Sequence, residues 1–401
     1  LFHFDLGIPF WYKFRITLEV NMTEKPEYSP GLEGVIAGET SICEIDQERA
    51  SLTFRGYDIK ELAVKSSYEE TAYLLLYGLL PSKAQLAEFD ARLKEDRGVP
   101  DTVVDVYRQT PVSAHSMDVL RTGVSILGMF DPEEGDNSHD ANVRKAIRII
   151  SKMPTLVAYG SRLPQGLEPV EPRGDLSLSE NFLYMLHGVV QDQPGPHIFD
   201  KTLIVYAEHE FNASSFSARV TSSTLSDMHS AVTSAVGTLK GPLHGGANEA
   251  VMQMLLEIKE PGQAEPWIMD ALGNKKRIMG FGHRVYKHGD TRAPILRQAS
   301  RELCESQGFC KWHELAVMVE ETVKREKGLL PNVDFYTASI YYLLGLPIPA
   351  FTPVFAMARS AGWCAHAIEQ LDNNRLIRPR SIYTGFKGLH YVPIDERDWD
   401  H

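Results

Sequence analysis

Cysteine is scarce in this sequence. Cys43, Cys304, Cys310 and Cys364 are the four among 401 residues, and no two make a C-x-x-C pair. A disulfide framework is therefore not expected, and a reducing cytosol is the default compartment, which makes the expected localisation cytoplasmic. Long apolar runs are missing as well, since charge or proline breaks every stretch before the ~18 residues that a membrane-spanning helix needs. Positive charge is in deficit: 41 Lys and Arg stand against 53 Asp and Glu, a formal net charge of −12. Neither a nucleic acid nor an anionic membrane is an expected partner, because both require a basic face to neutralise phosphate.

Several catalytic signatures are also absent. The segment AEHEFNAS at 207–214 begins like a zinc-protease helix, but Ala213 stands where the second ligand histidine belongs, and no metal is expected. No G-x-S-x-G elbow occurs, Val285 replaces the third glycine of a dinucleotide fingerprint, and no Gly-Lys-Ser/Thr loop is present. No internal repeat or low-complexity tract is visible.

What remains is a chain with 43% hydrophobic and 23% charged residues, enough to bury a large core in one large domain or two. The first 21 residues carry Asp5, Pro9, Lys13, Arg15 and Glu19, which disqualifies them as a secretory signal. Residues 1–21 are read as an extension before a natural start at Met22. Two short alternating runs, 42–46 and 51–57, predict one small hairpin. Helical patterns then dominate. Ser67 with Glu70, and Ser82 with Gln85, have capping-box spacing. Met117, Leu120, Val124 and Leu127 repeat every 3.6 residues until Asp131-Pro132. Residues 131–142 read as a polar surface loop. Further helical patterns lie near 143–160, 178–190, 199–238, 247–260, 266–275, 293–307, 312–327, 335–345 and 352–372. The expected fold class is all-α.

Chemistry is sought where glycines, histidines and charges interrupt that pattern. In GPLHGGANE, at 241–249, glycines surround His244 just before a helical run. The segment is either a plain turn or a place where a helix N-terminus keeps an imidazole neutral and ready to donate a hydrogen bond. Between 278 and 296, His283, Arg284, Lys287, His288, Asp290 and Arg292 crowd within ten residues, as a solvated basic loop or as an anion site with guanidinium forks. In LPNVDFYTA, Asp334 can cap a helix starting at Phe335 or face a cleft as a general base.

Together these segments resemble the citrate synthase family. AEHEFNAS, GPLHGGANE, GFGHRVYK, NVDFYTA, FTPVFAMARSAGW and IRPRSIYTG occur in that order, and the likeness runs from about residue 31 to 385. The resemblance implies an all-α, citrate synthase-like fold of two helical domains with one short N-terminal β-hairpin. The large domain would span 22–245 and 350–401, and the small one 246–349. It implies that His244 stabilises the enol of acetyl-CoA, Asp334 removes the methyl proton and His283 activates the oxaloacetate carbonyl. His209, Arg292 and Arg359 would bind oxaloacetate, with Arg378 supplied by the neighbouring subunit of a homodimer. Ile278, Gly280, Phe281, Gly282 and Lys287 would bind coenzyme A. No cofactor is implied, because the thioester is a substrate. The family also includes 2-methylcitrate synthases, which take propionyl-CoA; Leu243 and Arg284 resemble the citrate-forming branch.

Overall fold

In a computed structural model of the chain, residues 28–46, 48, 51–282 and 289–397 are described. The sequence falls into two compact units, 1–39 and 40–401. The first unit's described part holds only a 3-10 turn, Pro30–Leu32.

The second unit opens with a three-stranded antiparallel sheet, β1 (Cys43–Asp46), β2 (Ser51–Phe54) and β3 (Tyr57–Asp58), in that order. The expected hairpin is β1 with β2, Cys43 opposite Phe54. The third strand exists because Arg55 and Gly56 both adopt positive φ, +51° and +86°, the conformation that a two-residue hairpin turn requires.

Sixteen α-helices follow among the described residues. They are α1 (Ile59–Lys65), α2 (Tyr68–Tyr77), α3 (Lys83–Glu95), α4 (Asp101–Arg108), α5 (Ser116–Phe130), α6 (His139–Arg162), α7 (Leu178–His187) and α8 (Gly195–Tyr206). Then come α9 (Ala213–Ser223), α10 (Met228–Leu239), α11 (Ala247–Ile258), α12 (Ala264–Gly273), α13 (Ala293–Gln307), α14 (Lys311–Lys327), α15 (Val333–Leu343) and α16 (Phe351–Asp372). The all-α expectation holds, and none of these helices is long and apolar enough to cross a membrane.

Local chemistry sets the ends. Ser82 and Gln85 form the reciprocal capping box at α3. At α2, Ser67 accepts from the Glu70 N–H, the half of the box that the structure records. The run 199–238, read as one helical stretch, is three helices. Asn212 and Asp227 each cap a new helix with their side chains, so the chain breaks at 207–212 and again at 224–227. The polar segment after Asp131 is shorter than expected, because α6 starts at His139. Arg148 forks onto Asp131 at 2.8 and 2.7 Å, pinning that segment to α6.

Cys304 and Cys310 are joined by a disulfide, Cα–Cα 4.7 Å, although no disulfide framework is expected from the sequence. The end of α13 and the cap of α14 come within reach because Gly308, at φ +65°, reverses the chain between them.

The core is organised around α16, which is buried along nearly its whole length and packs on α2, α6, α8, α9, α10 and α11. Each large side chain it buries contributes roughly 2–3 kcal/mol, and Trp363 is the bulkiest. Helices α11 to α15 pack mainly on one another, and α8 touches both that group and α16. The C-terminal end of α8 is where the two groups meet: Tyr206 bonds Asp334 at the start of α15 through its hydroxyl and Arg359 of α16 through its carbonyl.

Candidate active site

Asp334 lies in the first turn of α15 but does not cap it. The helix starts at Val333, and Asn332 is the cap, its Oδ1 accepting the Asp334 N–H at 3.1 Å. The Asp334 carboxylate is thereby released for other contacts, and it is 7% exposed. Its Oδ1 accepts a 2.6 Å hydrogen bond from the phenol of Tyr206, the last residue of α8. Burial raises its pKa, opposed by that hydrogen bond and by the Arg292 and Arg359 guanidiniums, and the balance places it at about 6. The group is ionised at neutral pH yet more basic than an exposed carboxylate.

Arg292, 2% exposed, precedes α13. Its Nε and Nη2 fork onto the two oxygens of Asp290 at 2.9 and 2.8 Å. Asp290 also accepts from the Val333 N–H at 2.9 Å, which ties the Arg292 loop to the start of α15. Arg359, 1% exposed, projects from α16. Its Nε donates to the Tyr206 carbonyl at 2.5 Å, and its guanidinium lies 4.8 Å from the Phe355 ring centre. Burial lowers its pKa to about 10, so it stays cationic.

His244 sits in the turn before α11, whose cap is Gly246. Ser214 Oγ lies 2.9 Å from its Nε2, and the Ser214 N–H points at the same nitrogen at 3.3 Å. A nitrogen facing an N–H accepts, so the single proton of the neutral ring belongs on Nδ1, which is left as a donor. Trp363 Nε1 donates to the same Ser214 oxygen at 3.0 Å. Burial, reinforced by Arg359, lowers the His244 pKa to about 4, and the ring is neutral at physiological pH. Gly245 is required here, because a Cβ would collide with the Leu239 carbonyl. Phe355 links the two halves of the site, its ring centre 4.2 Å from that of Tyr206 and 6.5 Å from that of His244.

His209 is buried in the 207–212 break between α8 and α9. Its neighbour Glu208 is held by α16: Glu208 Oε1 lies 2.8 Å from His366 Nε2, and His366 Nδ1 faces Arg219 at 2.9 Å. A guanidinium only donates, so Nδ1 accepts and Nε2–H donates to Glu208. At Gly362 the helix passes so close that a Cβ would collide with Glu208 Oε2 and with the Ala207 carbonyl.

The structure thus assembles the buried Asp334, Arg292 and Arg359 and the half-buried His244 into one group. His283 and Lys287 lie outside the described residues. Arg378 is exposed in the segment beyond α16 and is not part of that group. In the 278–282 stretch, Phe281 is turned inward, its ring 4.7 Å from that of Phe335. Gly280, at φ +80°, leaves no room for a Cβ beside Val251 and Phe335. Side-chain access in that stretch is left to Ile278 and Met279, both half-buried. A groove of about 800 Å³ between α5 and α10, lined by Asp131, Asp227 and His229 among others, contains none of these residues.

Sequence reasoning missed Tyr206 and the role of Asp290. A tyrosine closing an apolar helix reads as core, and the one available signal was its place directly before the polar break AEHEFN. Asp290 was visible in the charged crowd, but its fork to Arg292 is a matter of geometry.

The family model described as "Citrate synthase, C-terminal domain" matches residues 31–380. Citrate synthase 2 of Bacillus subtilis is 50% identical over 371 residues, 92% of this chain and 98% of that protein. A 2-methylcitrate synthase of Mycobacterium tuberculosis is 44% identical over 362 residues, 90% of this chain and 92% of its own. Among solved structures, the ternary complex of citrate synthase from Thermoplasma acidophilum with carboxymethyl coenzyme A and oxaloacetate superposes with a TM-score of 0.87 at 34% identity, over 92% of this chain and all of that one.

Proposed function

The chain belongs to the citrate synthase family, and from that premise we propose that it condenses acetyl-CoA with oxaloacetate and hydrolyses citryl-CoA to citrate and coenzyme A, the first step of the tricarboxylic acid cycle. The observation that carries this reading is the pairing of a buried, ionised Asp334 with a neutral His244 around Phe355. A thioester methyl group is many pK units less acidic than a carboxylic acid, and each unmatched unit costs about 1.4 kcal/mol. Asp334 therefore needs help. As its carboxylate takes the methyl proton, the C–H electron pair becomes the enol C=C bond, and His244 Nδ1–H stabilises the charge growing on the thioester oxygen. A neutral imidazole suits that task, because it donates a hydrogen bond to the oxygen without first having to hold a second proton in a buried site.

The enol carbon then attacks the ketone carbon of oxaloacetate. The carbonyl electron pair moves to oxygen, which His283 is assigned to polarise, and water cleaves the citryl thioester. His209, Arg292, Arg359 and Arg378 are assigned to the oxaloacetate carboxylates, and 278–282 with Lys287 to coenzyme A. All of this is acid–base and addition chemistry with the thioester as substrate, and it needs no cofactor. Residues 246–349 are read as a small domain closing over a large one, 22–245 and 350–401, to exclude water during condensation. Support comes from the way α11 to α15 pack chiefly on one another.

Propionyl-CoA is the competing substrate, since a 2-methylcitrate synthase stands at 44% identity. Leu243 and Arg284 favour the citrate-forming branch, but one methylene is worth only ~1–3 kcal/mol of discrimination. Oxaloacetate-dependent thiol release, measured with the two thioesters at matched concentration, should give the higher kcat/KM with acetyl-CoA. A preference for propionyl-CoA moves the chain to the second reading.

The enzyme is also read as a homodimer in which Arg378 of each chain serves the other's site. Supporting this, Arg378 is exposed within a segment that also exposes Leu376, Ile382, Tyr383 and Phe386. Mixing inactive Arg378→Ala and Asp334→Asn enzymes under subunit exchange should restore roughly a quarter of wild-type activity, because half the dimers are mixed and each has one intact site. No recovery despite verified exchange assigns Arg378 to its own chain.

A further inference from the structure

Tyr206 holds two of the site's groups at once. Its phenol donates to Asp334 Oδ1 at 2.6 Å, and its carbonyl accepts from Arg359 Nε at 2.5 Å. Its ring is fully buried against Phe355. Burial and the adjoining carboxylate push the phenol's own pKa well above its ordinary value, so the hydroxyl is a permanent donor. A carboxylate oxygen that already accepts a short hydrogen bond is the poorer proton acceptor of the pair, which leaves Oδ2 for the substrate.

We propose that Tyr206 is the positioning residue of the general base: its O–H keeps the Asp334 carboxylate ionised, anchors Oδ1 and leaves Oδ2 as the oxygen that takes the proton. This role presupposes that Asp334 is the base. The other groups acting on this carboxylate are Arg292 from the start of α13, Asp290 in the same loop and Arg359 from α16. The Tyr341 hydroxyl, on α15, also interacts with it electrostatically. Of these two phenols, Tyr206 hydrogen-bonds the carboxylate, whereas Tyr341 accepts from Thr202 Oγ1 at 3.2 Å.

The test is an infrared titration of the folded enzyme that follows the protonated-carboxyl band missing from Asp334→Asn. In the wild type its midpoint should lie near 6. In Tyr206→Phe the lost hydrogen bond to the charged form should raise it by about one unit. Tyr341→Phe should leave it in place. Because Tyr206 is buried, a second variant guards against a folding defect: 3-fluorotyrosine at position 206, a stronger donor of nearly the same shape, should lower the midpoint. The acidic limb of kcat/KM should move with each midpoint, and the isotope effect with trideuterated acetyl-CoA should rise in Tyr206→Phe. A midpoint that stays put in both Tyr206 variants overturns the proposal, even if turnover falls. If the midpoints move as stated while Asp334→Asn keeps near-normal turnover, the hydrogen bond stands, but Asp334 is not the base and Tyr206 positions nothing that reacts.

Discussion

Asp334 and His244 meet the same physical condition and come out of it oppositely charged. Burial disfavours the ionised form of each, raising the acid to about 6 and lowering the base to about 4. The carboxylate stays ionised at neutral pH because its ordinary pKa is so low and because Tyr206, Arg292 and Arg359 oppose the shift. The imidazole has no such opposition, and Arg359 adds to the effect of burial. One guanidinium thus acts on both groups in the same direction with opposite chemical results: it favours the charged carboxylate of Asp334 and the neutral imidazole of His244. Arg359 is thus a contributor common to both protonation states, with burial the largest influence on each.

The sharpest way to break the pair is at the acceptor. Asp334→Asn should cut turnover by at least ~100-fold while oxaloacetate binding is retained, the scale of losing a general base. Near-normal turnover would reduce Asp334 to a structural residue. Next in size is the shared charge. Arg359→Met should raise both pKa values, so the acidic limb of the pH profile, measured at saturating oxaloacetate, should move up by roughly one unit. An unmoved limb would mean that Arg359 does not tune the Asp334 carboxylate.

The smallest effect concerns stability. The folded pKa of Asp334, about 6, lies above its ordinary value of 3.8, so its ionisation opposes folding. That penalty, about 3 kcal/mol, is fully present above pH 6, shrinks as the pH falls through 6, and is gone below 3.8. Asp334→Asn should therefore melt a few degrees higher than the wild type at about pH 7.5 and no higher at about pH 3.5. An equal or lower melting temperature at the higher pH would show that the carboxylate is not under strain from burial.

Much of this arrangement was legible beforehand, for identifiable reasons. The capping box at Ser82 and the period of Met117, Leu120, Val124 and Leu127 are local signals, and both elements form where they point. The clustering of His244, Asp334, Arg292 and Arg359 followed from a resemblance, not from spacing, because the four sit on separate elements. What failed had local causes too. The stretch 199–238 is apolar enough to read as one helix, and its breaks depend on Asn212 and Asp227 turning their side chains back onto the backbone. Asn332 rather than Asp334 caps α15, and two nearby residues that both favour caps cannot be ranked from composition. Cys304 and Cys310 meet because of a left-handed glycine, which no count of cysteines reveals.

Gly362 carries a different kind of consequence. On α16 the residues 359, 362 and 366 share one face, and they address Tyr206, Ala207 and Glu208 in turn: Arg359 at the Tyr206 carbonyl, Gly362 against the Ala207 carbonyl, His366 at the Glu208 carboxylate. Three consecutive residues are read off a helix like a key against its wards. For anyone evolving this protein in the laboratory, position 362 is therefore a trap. It touches no reacting group, and a screen for new specificity would treat it as free ground. A single methyl added there would displace the backbone that carries both Tyr206, the hydrogen-bond partner of Asp334, and His209, the histidine proposed for oxaloacetate.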